Sequence, residues 1–336
     1  MKKYAIIGNM SNQSNVIISK ILPAALLSVV LVATSVVAGP TDANASRKAN
    51  ATMAERCRSV TVMGHRGTQA KGVKENSLAA FKLAVSQGIK VIEFDIHRTK
   101  DGQWIVWHDK KVKGHTISKN TYKKLKKYDS SIATYRQVMA FLATKPGVKA
   151  LPEIKPSSVS KGSLKYIARV INEYGMKNRT EIQSFHKGVL QKWARYNKGY
   201  RLSFIMNKVK YSPASIRKFA NSVIVRKDLI YKGKVSVSAM HSKGLAVYAY
   251  TANSTTDWSK LVNKDVNAIL SDYAASYNNW CSKLHPTPPT TPPTPVTPPV
   301  TPPVTPPPVD PPVVEVPEDP ADPTDPIDPD APVVED

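Results

Sequence analysis

The chain has 336 residues, which is enough for one large enclosed domain with tails. Its formal net charge is +23, but the ten acidic residues from Pro286 onward have no lysine or arginine among them, so the preceding residues carry a formal +33. This balance favours lipid headgroups, polyanionic envelope polymers or phosphodiester substrates as partners, although a basic surface that is merely solvated explains it equally well. No nucleic-acid-binding motif is present, so a nucleic acid is not expected as a partner.

Residues 1–45 have the pattern of an export signal. Basic residues precede an apolar run at 21–38, and an Ala-Asn-Ala sequence at 43–45 provides a cleavage site of small residues. Cleavage there would leave residues 46–56 as a short polar linker. The apolar run also approaches the length of a membrane span, so an uncleaved anchor is the alternative. Both interpretations predict an exported protein, either periplasmic or secreted and associated with the cell envelope.

The first strand of the folded body is predicted at residues 60–63. This VTVM run is β-branched and apolar, as is typical of a buried strand, and His65 follows its carboxyl end within the sequence GHRG. A helix is predicted over 77–87, with Asn76 or Ser77 as its cap. His65 is therefore predicted to stand where a strand ends and a connection to a helix begins.

Residues 90–96, KVIEFDI, predict a second buried strand. Side chains alternate along a strand, so Glu93 and Asp95 share one face. Two carboxylates on one face repel each other unless a positive charge joins them. The Asp-Gly pair at 101–102 is a strong hairpin signal, and a reversal there would carry His108 back beside Asp95.

A third strand is predicted at residues 148–155, VKALPEIK, in which Glu153 and Lys155 share a face. If the ends of these strands converge, three carboxylates, two imidazoles, a lysine and an arginine meet at one mouth. Such a group could serve as a site for a hard cation, with an acid/base pair and two anion-binding groups. The predicted members are Glu93, Asp95, Glu153, His65, His108, Lys155 and Arg66.

The rest of the body alternates strand and helix patterns. Further strands are predicted at 180–185, 201–206, 221–226, 245–250 and 267–273. Nine strand candidates result, and eight remain if the hairpin counts as one barrel element. Eight strands suit an α/β protein with a (β/α)₈ TIM barrel, in which the carboxyl ends of the strands build the active site. The barrel domain is predicted to span residues 57–285.

The order of these motifs resembles the glycerophosphodiester phosphodiesterase family, over roughly residues 60–282. The specific matches are HRG at 65–67, EN at 75–76, E-x-D at 93–95, TKDG at 99–102, V-x-H-D at 106–109 and EIK at 153–155. Weaker matches continue through QSF at 183–185, YAYTAN at 248–253 and ILSDY at 269–273. Tyr250 stands where the family usually has tryptophan.

The resemblance implies the same barrel and the metal-dependent hydrolysis of glycerophosphodiesters to glycerol 3-phosphate and an alcohol. Glu93, Asp95 and Glu153 would hold the metal, and their all-oxygen donor set favours Ca²⁺ or Mg²⁺ over Zn²⁺. One histidine would deprotonate the nucleophile and the other would protonate the leaving alkoxide. We assign His65 as the base and His108 as the acid.

Arg66 and Lys155 are interpreted as contacts to the phosphate, because a diester anion needs cationic partners and arginine is suited to bidentate binding. Glu75, Asn76 and Tyr250 are possible pocket residues, although Asn76 could equally cap the following helix and Tyr250 could equally pack the barrel. The remaining histidines lack matching motifs and are interpreted as surface or packing residues. They are His97, His115, His186, His241 and His285.

Two alternatives stay open. The first is a phospholipase D-like lipase, as in the sphingomyelinase D relatives that share the barrel and the histidine pair. Such an enzyme needs an apolar membrane-docking loop, and the sequence shows no strongly apolar loop. The second is a surface-binding protein whose barrel only supports contacts with an envelope or a host, for which the basic body and the proline-rich tail are suited. The presence of the whole catalytic set argues against that second alternative.

The two cysteines, Cys57 and Cys281, flank the predicted barrel. An exported chain with an even number of cysteines usually pairs them, and a closed barrel brings its first and last elements side by side. We therefore predict a disulfide between them, with two buried free thiols as the alternative.

Residues 286–336 form a low-complexity tail of Thr-Pro and Asp-Pro repeats. Such sequence favours extended polyproline II and cannot bury a core, so we predict a disordered spacer that does not pack on the barrel. The protein is expected to act as a monomer on a small-molecule glycerophosphodiester, with possible contact to an anionic envelope or membrane surface.

Overall fold

The computed structural model describes residues 52–156 and 158–284. The predicted export segment, most of the predicted linker and the predicted proline-rich tail lie outside the described residues. The folded body begins earlier than predicted, because helix α1 (Met53–Ser59) starts inside the expected linker. Thr52 and Glu55 form a capping box at its start, which satisfies backbone donors that a linker would leave to water.

A closed barrel of eight parallel strands forms the centre of the molecule, as the sequence predicted. Its strands are β1 (Thr61–Gly64), β2 (Val91–Arg98), β7 (Lys149–Ile154), β8 (Glu181–Ser184), β9 (Arg201–Met206), β10 (Ser222–Arg226), β11 (Ala246–Tyr250) and β12 (Ala268–Ser271). Each pairs with the next in this order, and β12 pairs with β1 to close the ring. The fold is a (β/α)₈ TIM barrel, so the carboxyl ends of all eight strands open at one mouth.

Helices cover the outside of the barrel. They are α2 (Leu78–Ser86), α4 (Tyr135–Ala143), α5 (Lys161–Glu173), α6 (Lys187–Tyr196), α7 (Pro213–Arg217), α8 (Lys227–Tyr231), α9 (Val237–His241), α10 (Thr255–Asn263) and α11 (Ala274–Lys283), with a 3₁₀ turn at Lys177–Arg179. A large apolar core lies between helices and strands, and a smaller one fills the barrel interior. Among the described residues, no helix combines the length and the apolar character that crossing a membrane requires.

A side lobe, residues 104–134, extends from the barrel between β2 and α4. It consists of β3 (Trp104–Val106), β4 (Lys111–Val112), β5 (His115–Thr116), a 3₁₀ turn (Ile117–Lys119), α3 (Tyr122–Tyr128) and β6 (Ala133–Thr134). Strand β3 runs antiparallel to β2, which is the predicted hairpin. The lobe has a small apolar core of its own, made of Ile105, Val112, Ile117, Leu125 and Ile132.

The predicted disulfide is present. Cys57 in α1 and Cys281 in α11 are bonded, with their Cα atoms 5.8 Å apart, and both residues are buried. The Tyr277 hydroxyl donates to the Cys57 carbonyl at 2.9 Å beside the bond. Because α1 precedes the first strand and α11 returns from the last one, the bond joins the first and last helices of the described body at the amino-terminal end of the barrel, opposite the mouth.

Candidate active site

Three buried carboxylates meet at the mouth of the barrel, as predicted. Glu93 and Asp95 lie on β2 and Glu153 lies on β7, where the parallel register sets Asp95 beside Glu153. One oxygen of each lies within 4.8 Å of the others, and all three side chains are less than a tenth exposed. Burial, reinforced by the charge of Asp95, raises the pKa of Glu93 to about 7 and raises the pKa of Glu153 well above its usual value.

Lys155 and Arg66 supply the positive charge among these acids. The Lys155 ammonium lies 3.2 Å from an oxygen of Asp95 and 3.2 Å from one of Glu153. The Arg66 guanidinium lies 3.5 Å from Asp95, and its backbone N–H donates to Glu93 at 2.9 Å. Burial opposes ionisation of Asp95, but Lys155 and Arg66 together hold its pKa below the usual value. Both predicted phosphate-contact residues therefore point into the site.

Glu75 and Asn76, in the loop that follows β1, form hydrogen bonds with two side chains of the site. Glu75 accepts a hydrogen bond from the Arg66 guanidinium at 2.8 Å. The Asn76 amide donates to the Asp95 carboxylate at 2.8 Å, while its oxygen accepts the Asp95 backbone N–H at 3.1 Å. Ser77, and not Asn76, caps helix α2. The buried Asn76 therefore does not cap the helix, which was its alternative role, and instead orients the Asp95 carboxylate.

His65 is held by a carboxylate partner. Its Nδ1 lies 2.6 Å from Oδ1 of Asp272, a residue that directly follows β12. Burial alone would lower the pKa of His65, but the hydrogen bond to Asp272 and the charge of Glu93 raise it. The Asp272 contact occupies Nδ1, so Nε2 is the ring nitrogen that can exchange a proton with a substrate.

His108 also lies near the acids and is more exposed than His65, with 36% of its side chain accessible. Its Nδ1 lies 2.8 Å from Asp109, and burial together with the charge of Lys155 lowers its pKa. The backbone N–H of Trp107 donates to the Asp95 carbonyl at 3.0 Å, so the hairpin sets His108 beside the acids as predicted. The two histidines therefore have opposite pKa shifts.

His97 was interpreted as a surface or packing residue, and the structure shows a buried residue with a positioning contact. It lies two positions after Asp95 on β2, with Nε2 3.2 Å from the His108 carbonyl. Burial lowers the pKa of His97 to about 4, so the ring is neutral at pH 7 and can donate to that carbonyl. Tyr250 is half-buried at the end of β11 and packs edge-on against Phe185, with the ring centroids 6.4 Å apart, beside the core of the barrel interior. This contact agrees with the packing role, and the pocket role stays a prediction.

Sequence reasoning missed three polar residues at later strand ends, namely Gln183, Asn253 and Asp272. The Gln183 amide donates to Glu93 at 2.8 Å, and its own oxygen is buried without a hydrogen-bond partner among the described residues. Asn253 donates to the Asp272 carboxylate at 2.6 Å and accepts the Asp272 backbone N–H at 2.9 Å. The sequence pattern that could have identified them is the one that identified His65, namely a polar residue within or just past the end of a buried strand.

The geometry fits a divalent cation. Glu93, Asp95 and Glu153 present only oxygen donors, are buried, and have two neighbouring cationic side chains for three carboxyl groups. The unpartnered Gln183 oxygen beside Glu93 adds a further acceptor in the same place. Hard oxygen ligands of this kind suit Ca²⁺ or Mg²⁺ better than soft-ligand metals. Such a cluster, with two imidazoles nearby, has the composition of a metal-dependent acid/base centre.

Comparisons with known proteins agree with this chemistry. The profile described as "Glycerophosphoryl diester phosphodiesterase family" matches residues 65–276. A glycerophosphodiester phosphodiesterase of Bacillus altitudinis is 25% identical over 231 residues, covering 63% of this chain and 94% of the relative. One from Caldanaerobacter subterraneus is 24% identical over 237 residues, covering 63% and 93%.

Solved structures share the fold. A glycerophosphodiester phosphodiesterase from Parabacteroides distasonis aligns with a TM-score of 0.62 at 18% identity, covering 67% of this chain and 98% of the other. An Oleispira antarctica phosphodiesterase, solved in complex with the product sn-glycerol-3-phosphate, aligns with a TM-score of 0.59 at 20% identity, covering 65% and 95%.

Proposed function

From the premise that the chain belongs to the glycerophosphoryl diester phosphodiesterase family, we propose that it cleaves glycerophosphodiesters to glycerol 3-phosphate and an alcohol by two-histidine acid/base catalysis. The observation that carries the proposal is the meeting of Glu93, Asp95 and Glu153 at one barrel mouth, with His65 near Glu93 and His108 near Asp95. The glycerol 3-phosphate bound to the Oleispira antarctica phosphodiesterase, which has the same fold, supports the substrate class.

Glu93, Asp95 and Glu153 would hold Ca²⁺ or Mg²⁺. When bound, the cation polarises a phosphoryl oxygen and neutralises charge in the transition state. Arg66 and Lys155 both contact the Asp95 carboxylate, and we expect both to contact the phosphate of the substrate beside it. The guanidinium suits a bidentate contact and the ammonium suits a point contact.

His65 acts as the general base. The Asp272 carboxylate holds Nδ1, so Nε2 faces the nucleophile, and the negative charge of Asp272 stabilises the imidazolium that forms when Nε2 accepts a proton. The nucleophile is the free hydroxyl of the substrate glycerol next to the phosphate. Its oxygen bonds to phosphorus as its proton passes to His65.

His108 acts as the general acid. Its Nδ1 contacts Asp109, so Nε2 is the ring nitrogen that can deliver a proton. As the bond from phosphorus to the leaving alcohol breaks, His108 delivers a proton to the departing alkoxide oxygen. The cyclic phosphate is then opened by water, with His108 accepting the water proton and His65 returning its proton to the glycerol oxygen.

An assay with the purified protein tests the proposal. Glycerophosphocholine, glycerophosphoethanolamine, a lysolipid and sphingomyelin are each supplied with Ca²⁺, Mg²⁺ or EDTA. We expect glycerol 3-phosphate from the first two, and no turnover in EDTA. Turnover of sphingomyelin or the lysolipid alone would instead identify the lipase alternative, and an EDTA-resistant rate would remove the metal from the proposal.

We also propose that the protein is exported and acts as a monomer outside the cytoplasm. The signal-like pattern of residues 1–45 supports export. The disulfide between Cys57 and Cys281 fits an oxidising compartment, because disulfides are rare in the cytosol. Fractionation of the native host, with amino-terminal sequencing of the recovered protein, tests export and cleavage together. Sedimentation analysis tests the monomer.

A further inference from the structure

The side lobe carries a dense positive charge beside the catalytic mouth. Residues 110–128 contain eight lysines and no aspartate or glutamate. All of these lysines except Lys126 are exposed. Among the described residues, no ion pair joins any of the eight to a carboxylate, whereas Lys155 and Arg66 at the mouth each contact two acids.

The charge of the lobe works against its local stability. Lys123 and Lys127 stand four apart on α3, a spacing at which like charges destabilise a helix by a few tenths of a kcal/mol. The lobe core of Ile105, Val112, Ile117, Leu125 and Ile132 does not require lysines on the outside. Solubility does not require them either, since the body is already strongly basic. A binding partner would account for an arrangement that folding does not favour.

The lobe is tied to the catalytic loops on both sides. Lys74, which directly precedes Glu75, forms an ion pair with Asp129 at the end of α3. The Lys74 ammonium also lies over the Trp107 ring, 4.1 Å from its centroid, and Trp107 directly precedes His108. A ligand on the lobe is therefore bound next to the two segments that carry His108 and the Arg66 partner.

On the basis of the proposed function, we infer that the side lobe binds a polyanion that repeats glycerol phosphodiester groups, and presents one of its linkages to the catalytic mouth. Charge complementarity supports this partner, because such a chain carries one negative charge per repeat and also contains the linkage that the site cleaves. An anionic membrane fits less well. The exposed large hydrophobic residues of the described chain, Val209, Tyr273 and Leu284, all lie outside the lobe, so it has no apolar group to insert.

Two matched triple variants test the inference. The lobe variant is Lys119→Gln, Lys123→Gln and Lys127→Gln, all at exposed positions. The control variant is Lys90→Gln, Lys149→Gln and Lys264→Gln, which removes the same charge from exposed positions near the opposite, amino-terminal ends of β2, β7 and β12. Neither set includes a residue of the catalytic site, and all six positions are exposed, so circular dichroism should match the wild type and the melting temperature should not fall.

The readout is kcat/KM on poly(glycerol phosphate) and on glycerophosphocholine at low and high salt. We expect the lobe variant to lose roughly tenfold on the polymer at low salt, with a weaker salt dependence, and to keep the wild-type rate on glycerophosphocholine. The control variant should retain the wild-type rate on both substrates. Equal losses in the two variants, or no loss in either, would overturn the inference while leaving the proposed function in place.

A direct binding measurement separates the inference from the proposed function. Poly(glycerol phosphate) and phosphatidylcholine vesicles containing phosphatidylglycerol are each titrated with wild-type protein and with the lobe variant. We expect lobe-dependent binding to the polymer even if glycerophosphocholine is never hydrolysed, an outcome that would remove only the proposed function. Lobe-dependent binding to the vesicles and not to the polymer would overturn the inference.

Discussion

Carboxylates that are largely removed from solvent lie at both ends of the barrel, and the two ends supply them with different partners. At the amino-terminal end, one carboxylate, Glu181, accepts hydrogen bonds from the hydroxyls of Ser203, Ser222 and Tyr248, with Arg201 3.5 Å away. At the mouth, three carboxylates share two cations, and burial raises the pKa of two of them. Burial of an acid is thus not in itself a sign of chemistry. An excess of carboxyl groups over neighbouring cationic side chains is the better sign, because folding alone does not favour it.

We call the amino-terminal end of the barrel, which carries Glu181 and the disulfide, the closed end. The contrast predicts that changes at the closed end reduce stability alone, whereas changes at the mouth reduce activity alone. The largest expected effect is at the closed end, where the disulfide encloses 223 intervening residues. On the chain-entropy model, a loop of that length stabilises by about 5 kcal/mol. Cys57→Ser with Cys281→Ser should therefore lower the melting temperature strongly. The rate well below that temperature should stay unchanged, and a loss of rate there would mean that the two ends are coupled.

The second prediction concerns the mouth. Glu93→Ala removes one ligand of the proposed cation, and we expect a loss of roughly a thousandfold in kcat/KM, or about 4 kcal/mol. Excess Ca²⁺ or Mg²⁺ should restore part of the rate. The melting temperature in EDTA should not fall, because the substitution also removes a buried acid from beside Asp95. Thermal denaturation and metal titration of the same sample check both statements, and a destabilised variant would contradict the contrast.

The third prediction concerns the histidines. His65→Ala and His108→Ala should each cost roughly 10² or more in rate, the usual scale for general acid/base catalysis. The double variant should be little worse than either single one, because both groups act on one transition state. Asp272→Asn should lower the rate by less, because Asp272 acts through His65. It should shift the pH–rate profile of the otherwise wild-type protein and leave the profile of a His65→Ala background unchanged. Normal turnover in either single variant would remove that histidine from the mechanism.

Local sequence patterns gave the barrel and the first half of the site. Strand alternation placed Glu93 and Asp95 on one face, and the Asp-Gly turn carried His108 to them, because these relations depend only on nearby residues. Asp272 and Gln183 reach the site from strands 207 and 90 residues away, through closure of the barrel. A sequence pattern shows that such a residue ends a strand, but not which neighbour it meets.

The side lobe and the start of the fold also escaped prediction. The lysine-rich residues 110–134 gave no apolar pattern that predicts a separate lobe, because the apolar positions of the lobe are spread over two short strands, a 3₁₀ turn, one helix and a loop and show no single period. The first four residues of helix α1, 53–56, were taken as linker, because so short a run shows little periodicity. Its capping box and its disulfide stabilise it instead.

The smallest loss of stability or activity is expected at Glu181, at the closed end. Its side chain is only 16% exposed and receives hydroxyl donors from three different strands, so it joins β8 to β9, β10 and β11. Glu181→Gln keeps the shape but removes the charge that strengthens these bonds, and it turns an amide donor towards hydroxyls that are already donating. We expect a loss of about 2 kcal/mol in the free energy of unfolding and an unchanged kcat/KM.

A matched control for this substitution is Glu173→Gln on the outer helix α5. Glu173 pairs with Arg136 and Arg169 at a more exposed position, where ion pairs contribute about 0 to 1 kcal/mol. Urea denaturation of both variants, with rates measured on the same preparations, checks the prediction. If Glu181→Gln were as stable as the wild type, the hydrogen bonds from the three hydroxyls would not contribute to stability. If it lowered kcat/KM at an unchanged melting temperature, the amino-terminal end of the barrel would have to be included in the catalytic machinery, because Glu181 would then act on the mouth through the strands that it joins.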